Sequence, residues 1–170
     1  MKTPKFFSTL YRSVFVNPKS SWFWLLVRVY LGWQWLEAGY EKVINPAWSG
    51  GSAGGALTGF INGALAKTVG AHPDVSIPYA WFLKSFVLTH VVAWSNLVAY
   101  GELLVGVGLI LGALTFLSAF FGMFMNLNYL LAGTVSVNPQ MLILSLLIML
   151  AKKTSGIIGL DYYIERKNSK

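Results

Sequence analysis

Two ionisable residues stand inside long apolar runs of this sequence and are the first candidates for chemistry. Arg28 lies in the apolar run 21–43, and Glu102 is the only charged residue of the run 86–112. Ionisable side chains within a membrane are costly and usually mark a functional site. A guanidinium donates hydrogen bonds to a carbonyl oxygen or an anion, and a carboxyl group takes up and releases a proton. The two residues therefore predict a polar, proton-exchanging site in apolar surroundings.

Helical spacing places further small and polar residues on the same faces as these two charges. Glycines on such a face allow neighbouring helices to approach closely. We therefore expect Arg28, Glu102 and Asn126 to lie inside a helix bundle. At about 100° per residue, the three faces carry Arg28, Gly32, Trp35, Gly39 and Lys42; Ser95, Glu102, Gly106, Leu109 and Ala113; and Thr115, Ala119, Gly122, Asn126, Tyr129 and Gly133.

The estimated depths of Arg28 and Glu102 are compatible with an ion pair between them. Their offset along the helix axes is roughly 5 Å at 1.5 Å per residue, which an arginine side chain can bridge. Two interpretations stay open. The pair is either structural and holds two helices in register, or it lines a cavity for the polar head group of a ligand, with Glu102 exchanging a proton.

The composition excludes several kinds of redox and metal chemistry. The chain has 170 residues and no cysteine, which excludes disulfide exchange, thiolate nucleophiles, iron–sulfur clusters and Cys-ligated zinc. Its two histidines, His72 and His90, are too few for a multi-histidine metal site or a bis-histidine haem. We therefore predict no metal and no haem. The tryptophans are interpreted as membrane-interface anchors rather than as a cofactor-binding motif.

The elements that must position these residues are membrane helices. Hydrophobic residues make up 55% of the chain and charged residues only 11%, against about 25% charged residues in soluble domains. A helix needs roughly 20 mostly apolar residues to cross the hydrocarbon core. We predict an all-α membrane protein, a four-transmembrane-helix bundle that forms a single integral membrane domain over residues 1–170, with spans at about 21–43, 86–112, 113–133 and 137–151.

The distribution of basic residues predicts the orientation of this protein. The net charge is +7, and Lys and Arg concentrate in cytoplasmic segments. Because four spans put both termini on one side and both termini are basic, we expect a multi-pass protein of the cell membrane with both termini cytoplasmic. No basic stripe is interleaved with exposed aromatics, so we expect no nucleic-acid partner. The terminal basic residues are Lys2, Lys5, Arg12, Lys19, Lys152, Lys153, Arg166, Lys167 and Lys170.

The long connection between the first two spans, residues 44–85, predicts an outer-surface cap. Its glycine-rich part, 46–55, is typical of a flexible segment, and residues 56–69 have weak helical spacing. Pro73 and Pro78 predict breaks, and the aromatic segment 79–82 favours the membrane interface. We expect this cap to lie on the outer surface of the cell membrane or to dip into it.

Several short motifs follow one another along the chain. They are Arg28-x3-Gly32-x6-Gly39-x2-Lys42 with Pro46 after it; Gly101-Glu102 with Gly106, Gly108 and Gly112; Asn126-Leu127-Asn128-Tyr129; and Gly159-x-Asp161. Together, in this order and at these spacings, they resemble the DoxX/DoxD family of small four-helix membrane proteins. The resemblance covers residues 20–165.

The resemblance implies an activity, because the family is named after the membrane subunit of a thiosulfate:quinone oxidoreductase. It implies that electrons pass from thiosulfate or a similar donor to a quinone, which is the expected cofactor. In that scheme Glu102 and Arg28 are the catalytic candidates: Glu102 relays protons, and Arg28 binds a quinone oxygen or an anionic sulfur substrate. The substrate-binding candidates are Lys42, Asn126, Trp35 and Tyr129.

Two other functions stay open at this level. One is a non-catalytic membrane scaffold that recruits a redox or stress-defence partner. The other is a small transporter or lipid-binding protein, which four spans permit more readily in a homo-oligomer. Besides the lipid bilayer, the expected partner is therefore another protein subunit or a second copy of this chain.

Overall fold

The computed structural model of this chain describes residues 5–168, in which all regular elements are helices and there is no strand. This confirms the all-α fold class. Lys2 and Lys170, which contribute to the predicted terminal charge, lie outside the described residues. The α-helices in the described range are α1 (Lys5–Tyr11), α2 (Ser21–Ile44), α3 (Pro46–Ser49), α4 (Gly55–Ala66), α5 (Ile77–Phe82), α6 (Val91–Leu111), α7 (Thr115–Leu131), α8 (Asn138–Leu150), α9 (Lys152–Ser155) and α10 (Leu160–Asn168).

The helix that contains Glu102 begins earlier than the sequence predicts. The span predicted from about residue 86 belongs to a longer helix, which runs from Ile77 to Leu111 without interruption. It passes through a π-helical turn, Leu83–Val87, and a 3₁₀ turn, Leu88–His90. Pro78 stands in the first turn, where its missing N–H leaves no hydrogen bond unmade. Pro78 therefore starts this helix and does not break the chain.

Within residues 5–168, one helix is long and apolar enough to cross a membrane, the 35-residue segment Ile77–Leu111. The 24-residue helix α2 carries Arg28, Glu37, Glu41 and Lys42. The apolar helices α7 and α8 are 17 and 13 residues long, close to the predicted segments 113–133 and 137–151 but shorter. The structure thus shows a helical protein with one clearly membrane-competent helix.

The helices α2, α6, α7 and α8, which we call the core helices, pack against one another. Helix α2 contacts α6 and α8, and α7 also contacts α6 and α8. Helices α2 and α6 are antiparallel, since Gly32 lies against Leu109 and Gly39 against Leu103. A Cβ atom at Gly39 or Gly106 would collide with the backbone of the other helix, so these glycines allow the close approach. This contact fixes the register of α2 on α6.

The interior between the core helices combines apolar and polar side chains, as the helical faces predict. The apolar cluster includes Trp24, Leu31, Trp35, Leu109 and Ile148. Among it lie polar side chains that are at most 2% exposed: Arg28, Ser95, Glu102, Thr115, Asn126 and Ser145.

The outer faces of the core helices carry large apolar side chains. On α7 these include Phe116, Phe120, Phe121 and Phe124, each at least 40% exposed. Monomeric soluble proteins rarely expose contiguous apolar patches of this kind. These faces are therefore suited to lipid or to another apolar partner.

The cap has an apolar core of its own. Helix α4 lies within the segment 56–69 that the sequence predicts as weakly helical, apart from its first residue. Its buried residues Leu57, Ile61 and Ala64 belong to a cluster with Val75 and Ala132. The cap is thus a packed part of the fold, attached to the end of α7.

Several side-chain hydrogen bonds fix the cap to the core helices. Ser95 Oγ donates to the carbonyl oxygen of Trp48 at 2.6 Å. The Tyr79 hydroxyl donates to the carbonyl oxygen of Asn128 at 3.0 Å. Lys67 Nζ donates to a carbonyl oxygen of the turn between α7 and α8 at 2.6 Å. The cap is therefore held at the start of α6 and at the end of α7.

Candidate functional site

The Glu102 carboxylate on α6 is the centre of a buried polar network. Lys42 Nζ, on α2, donates to Oε2 at 2.7 Å, and the Tyr129 hydroxyl, on α7, donates to Oε1 at 2.5 Å. The Glu102 side chain is 2% exposed and that of Lys42 is 22% exposed. Three core helices therefore contribute one ionisable side chain each, and each carboxylate oxygen has a donor.

The predicted ion pair between Arg28 and Glu102 is wrong. Arg28 Nη1 and Nη2 donate to the carbonyl oxygens of Ser155 at 2.7 Å and Ile158 at 2.6 Å. The Cα–Cβ bond of a helical residue tilts toward the helix N-terminus, so the Arg28 side chain extends toward the start of α2. Its guanidinium lies beside Gly112, just beyond the end of α6. The depth estimate failed because it located the Cα atom and not the guanidinium.

Lys42 occupies the position beside Glu102 that is predicted above for Arg28. The same tilt directs Lys42 back along α2, where Nζ lies 3.5 Å from the carbonyl oxygen of Ala38. Gly39, at this level, lies against the backbone of Glu102. Because α6 runs in the opposite direction, the Glu102 side chain leans toward Lys42. The pairing therefore follows from the antiparallel packing of the two helices.

A cavity of about 290 Å³ opens beside this network. Lys42, Glu102 and Tyr129 line it, and the exposed residues Glu37 and Glu41 stand at its edge. Since Lys42 is already paired with Glu102, these two carboxylates make the edge negatively charged. The remaining lining residues are Gln34, Trp35, Ala38, Val137, Asn138 and Met141.

Trp35 and Asn126 place unpaired polar groups in the interior between the core helices. Trp35 lines the cavity, is 1% exposed, and directs its indole Nε1 at Gly122 on α7. Asn126, one turn further along α7, is fully buried. Within residues 5–168, neither Nε1 nor the Asn126 amide has a hydrogen-bond partner. Buried polar groups are normally paired, so these groups are suited to bind a water molecule or a polar ligand atom.

Two aromatic residues of the cap cover this network. The ring centroid of Trp48 lies 5.3 Å from Lys42 Nζ. The ring of Phe60 packs edge-on against Tyr129, with centroids 6.1 Å apart. Both geometries are favourable for aromatic rings. Sequence reasoning missed these two residues, because Trp48 resembles an interface anchor and Phe60 an ordinary apolar residue of an amphipathic helix.

Asp161 has a structural role that its motif does not reveal. Its Oδ1 and Oδ2 accept hydrogen bonds from the backbone N–H groups of Leu114 at 2.6 Å and Thr115 at 2.8 Å. Leu114 has a left-handed φ of 50°, a conformation that favours glycine. A residue that caps a helix start normally precedes that helix in sequence. Here the capping residue, Asp161, follows α7 and α8 in the chain, so no local sequence pattern indicates its role.

The structure brings together four of the six candidate site residues. Glu102, Lys42 and Tyr129 are in direct contact, and Trp35 lines the same cavity. Asn126 is buried on the same face of α7 as Tyr129. Arg28 lies at the other end of the core helices, so its catalytic role stays a prediction. Among the described residues, no three His, Asp or Glu side chains are grouped as metal ligands would be.

Fold and site together define a helical membrane protein with a polar site buried between its helices. A family model described as TQO small subunit DoxD matches residues 23–170. The chain therefore belongs to the DoxD family, as its motifs predict. This is a family of membrane subunits of the quinone-oxidoreductase type. No curated protein and no solved structure matches the chain.

Proposed function

We propose that this chain is the membrane subunit of a quinone-linked oxidoreductase and that the cavity beside Glu102 binds the quinone head group. One observation carries this function: the buried Lys42–Glu102–Tyr129 network borders a cavity, and Trp35, whose indole Nε1 is unpaired, lines the same cavity. Membership in the DoxD family supports it independently.

The residues around the cavity fit a quinone head group. Such a head group needs apolar walls and hydrogen-bond donors for its two carbonyl oxygens. Trp35 and Met141 line the cavity and supply apolar surface, and Trp35 also carries an unpaired donor, Nε1. The unpaired Asn126 amide is buried in the interior outside the lining, and we propose that it donates to the ligand from there. A cavity of about 290 Å³ lies at the small end of ligand pockets, which suits a single ring. When bound, a quinone accepts electrons and protons.

We assign proton exchange to Glu102. A general acid or base must lie within hydrogen-bond reach of its partner, and the Tyr129 hydroxyl contacts Glu102 directly. Lys42 donates a hydrogen bond to one carboxylate oxygen and Tyr129 to the other, and all three residues line the cavity. Glu37 and Glu41, at the exposed edge, connect this network with water.

We assign the oxidation of the sulfur donor, thiosulfate or a similar anion, to a partner subunit. Lys42 is paired with Glu102, and the Arg28 guanidinium donates to two backbone carbonyls. An anion that entered the cavity would meet Glu37 and Glu41 and would find its lining lysine already paired. Burying an unpaired charge is strongly unfavourable, so this cavity suits a neutral ligand.

We further propose that α2, α6, α7 and α8 all cross the membrane. Helix α8 is short, but positively charged side chains satisfy the backbone near both of its ends. Lys67 donates to the carbonyl oxygen of Gly133, and Arg28 donates to that of Ser155. Because unsatisfied carbonyl groups are costly in lipid, these contacts support a membrane position for the short helix.

We propose that both termini are cytoplasmic. The Trp24 indole donates to the carbonyl oxygen of Val14 at 2.8 Å, and the Thr154 hydroxyl donates to that of Phe15 at 3.3 Å. These bonds bring the segment before α2 and the segment after α8 to one end of the core helices. Arg12, Lys19, Lys152 and Lys153 give that end its positive charge, and positive charge favours the cytoplasmic side.

Binding of a short-chain benzoquinone to the detergent-solubilised protein tests the head-group site. We expect saturable quenching of tryptophan fluorescence. Asn126→Leu should weaken the binding roughly tenfold, because it removes one hydrogen bond to the ligand. Since the Asn126 amide is unpaired in the described structure, this change should leave the stability intact. Asn62→Leu, on the exposed face of α4, is the matched control and should bind like the parent protein.

Absence of saturable binding to the parent protein would overturn the quinone site. A non-catalytic scaffold would then be favoured, and loss of the chain should mislocalise its partner enzyme. Equal affinities of Asn126→Leu and Asn62→Leu would remove Asn126 from the site.

A further inference from the structure

A second cavity, of about 270 Å³, lies at the opposite end of the core helices from Glu102. It is formed between the start of α7 and the segment 152–157, and Asp161 and Tyr162 complete it. The function proposed above does not use this cavity. Its lining combines positive charge, a buried hydroxyl group and exposed apolar side chains.

The rim of this cavity is positively charged. Lys152 and Lys153 line it and are exposed, and Lys152 Nζ lies 5.1 Å from the ring centroid of Phe116. The neighbouring Asp161 carboxylate is bound to the backbone N–H groups of Leu114 and Thr115. Because the positive end of the α7 dipole compensates that carboxylate, the two lysines set the charge that a ligand meets.

The Thr115 side chain is an independent indication of a ligand. Thr115 lines this cavity and is 2% exposed. Its hydroxyl makes no hydrogen bond within residues 5–168. A buried hydroxyl group without a partner carries a desolvation penalty. A polar ligand group in the cavity would remove this penalty.

Apolar surface continues from this cavity along α7. Leu114, Phe116 and Leu117 line the cavity and are 57%, 41% and 45% exposed. Phe120 and Phe124 extend the same helix surface beyond it. A ligand with a negative head group and an apolar tail matches this arrangement, whereas a free phosphate ion would leave the apolar surface uncovered. We propose that this cavity binds the head group of an anionic phospholipid, with its acyl chains along α7.

Native mass spectrometry of the full chain in detergent tests this site. The probes are phosphatidylglycerol and phosphatidylcholine with identical acyl chains. We expect the anionic lipid to bind more tightly to the parent protein. The double variant K152A/K153A should lose about 25-fold in affinity for it, since each basic residue near an anionic surface contributes about fivefold. Its affinity for phosphatidylcholine should change little.

Two further variants separate a local site from a general effect of charge. R12A/K19A removes the same charge from exposed residues outside the cavity and should change the affinity less than threefold. Thr115→Val keeps the shape of the side chain and removes the hydroxyl, so it should weaken binding of the anionic lipid alone. Far-UV circular dichroism checks that each variant stays helical.

Three results would overturn the lipid site. Equal binding of the two lipids by the parent protein would show that the cavity does not select a negative head group. An equal loss in R12A/K19A and K152A/K153A would show that only net charge matters. Full competition by glycerol phosphate at the concentration of the lipid would assign the cavity to a soluble phosphate compound.

Discussion

Glu102 receives hydrogen bonds from one charged donor, Lys42, and one neutral donor, Tyr129. The two partners of the ion pair differ in their access to water, because the Glu102 side chain is 2% exposed and that of Lys42 is 22% exposed. Removal of one partner of a buried pair leaves the other charge without compensation. The cost of losing this pair therefore depends on which charge remains.

A double-mutant cycle at Lys42 and Glu102 measures this asymmetry. Lys42→Met leaves a buried carboxylate without its cation and should lower the free energy of unfolding by about 3 kcal/mol. Glu102→Gln leaves a lysine that still reaches water and should lower the free energy of unfolding by about 1 kcal/mol. In the double variant the free energy of unfolding should fall by clearly less than the sum of the two single losses. Denaturant unfolding in mixed micelles measures all four proteins, and strictly additive losses would contradict a direct ion pair.

At this scale the sequence predicts which face a residue occupies better than which atom it contacts. Glu102, Asn126 and Trp35 lie inside, as helical spacing predicts, because the apolar period of a helix directly reflects burial. The predicted partner of Glu102, Arg28, is wrong, because the tilt of each side chain along its helix decides which atoms come into contact. That tilt separates Arg28 from Glu102 and brings Lys42 to it.

The candidate site depends on the packing of helix α2 against helix α6. Gly39 and Gly106 each lie against the backbone of the other helix. Because Lys42 and Glu102 follow directly from this register, any separation of the two helices must also lengthen their ion pair.

Gly39→Ala tests this dependence. A Cβ atom at this position would collide with the backbone of α6, so we expect a loss of about 2–3 kcal/mol in the free energy of unfolding. Gly63→Ala is the control, because a Cβ atom there meets nothing within 4 Å. That change should stabilise the protein by roughly 0.5–1 kcal/mol through helix propensity. A Gly39→Ala protein as stable as the control would contradict the close approach.

The start of α7 depends on a side chain that lies after α8 in the chain. Asp161→Ala removes the acceptors of the Leu114 and Thr115 N–H groups and should cost about 2 kcal/mol. Asp161→Asn retains one neutral acceptor and should cost about half as much. Amide hydrogen exchange at Leu114 and Thr115 should accelerate in the same order. Unchanged protection of these two amides in Asp161→Ala would argue against capping of α7 by Asp161.

The sequence locates the helices well where apolar runs are bounded by clear breaks. Helices α2, α7 and α8 agree with the predicted segments within a few residues. The sequence does not indicate the helix start at Ile77, because Pro78 predicts a break, whereas proline is well tolerated in the first turn of a helix. The capping of the α7 start by Asp161 could not be predicted, because it depends on a tertiary contact between distant parts of the chain.

Across the whole molecule, the two cavities lie at opposite ends of the core helices. The cavity beside Glu102 has a negatively charged edge with Glu37 and Glu41, whereas Lys152 and Lys153 border the second one. This asymmetry matches the proposed orientation, in which the lysine-rich end faces the cytoplasm.

The absence of native cysteines makes this orientation directly measurable. A membrane-impermeant maleimide should label Ser52→Cys, in the cap, in intact cells. Lys153→Cys should be labelled only after the cells are opened. Both positions are exposed in the structure, so a difference in labelling reports the side of the membrane. Labelling of Lys153→Cys in intact cells would contradict the cytoplasmic placement.

The contacts of Arg28 and of the turn before α7 also constrain biogenesis. Their partners, Ser155, Ile158 and Asp161, leave the ribosome after α2 and α7 have already been made. During that interval the Arg28 guanidinium and the backbone N–H groups of the left-handed turn lack their hydrogen-bond acceptors. In the proposed topology, in which α2, α6, α7 and α8 all cross the membrane, insertion of the helices must therefore precede their final assembly. Nascent chains that stop before Ser155 should insert normally and be removed rapidly by membrane quality-control proteases.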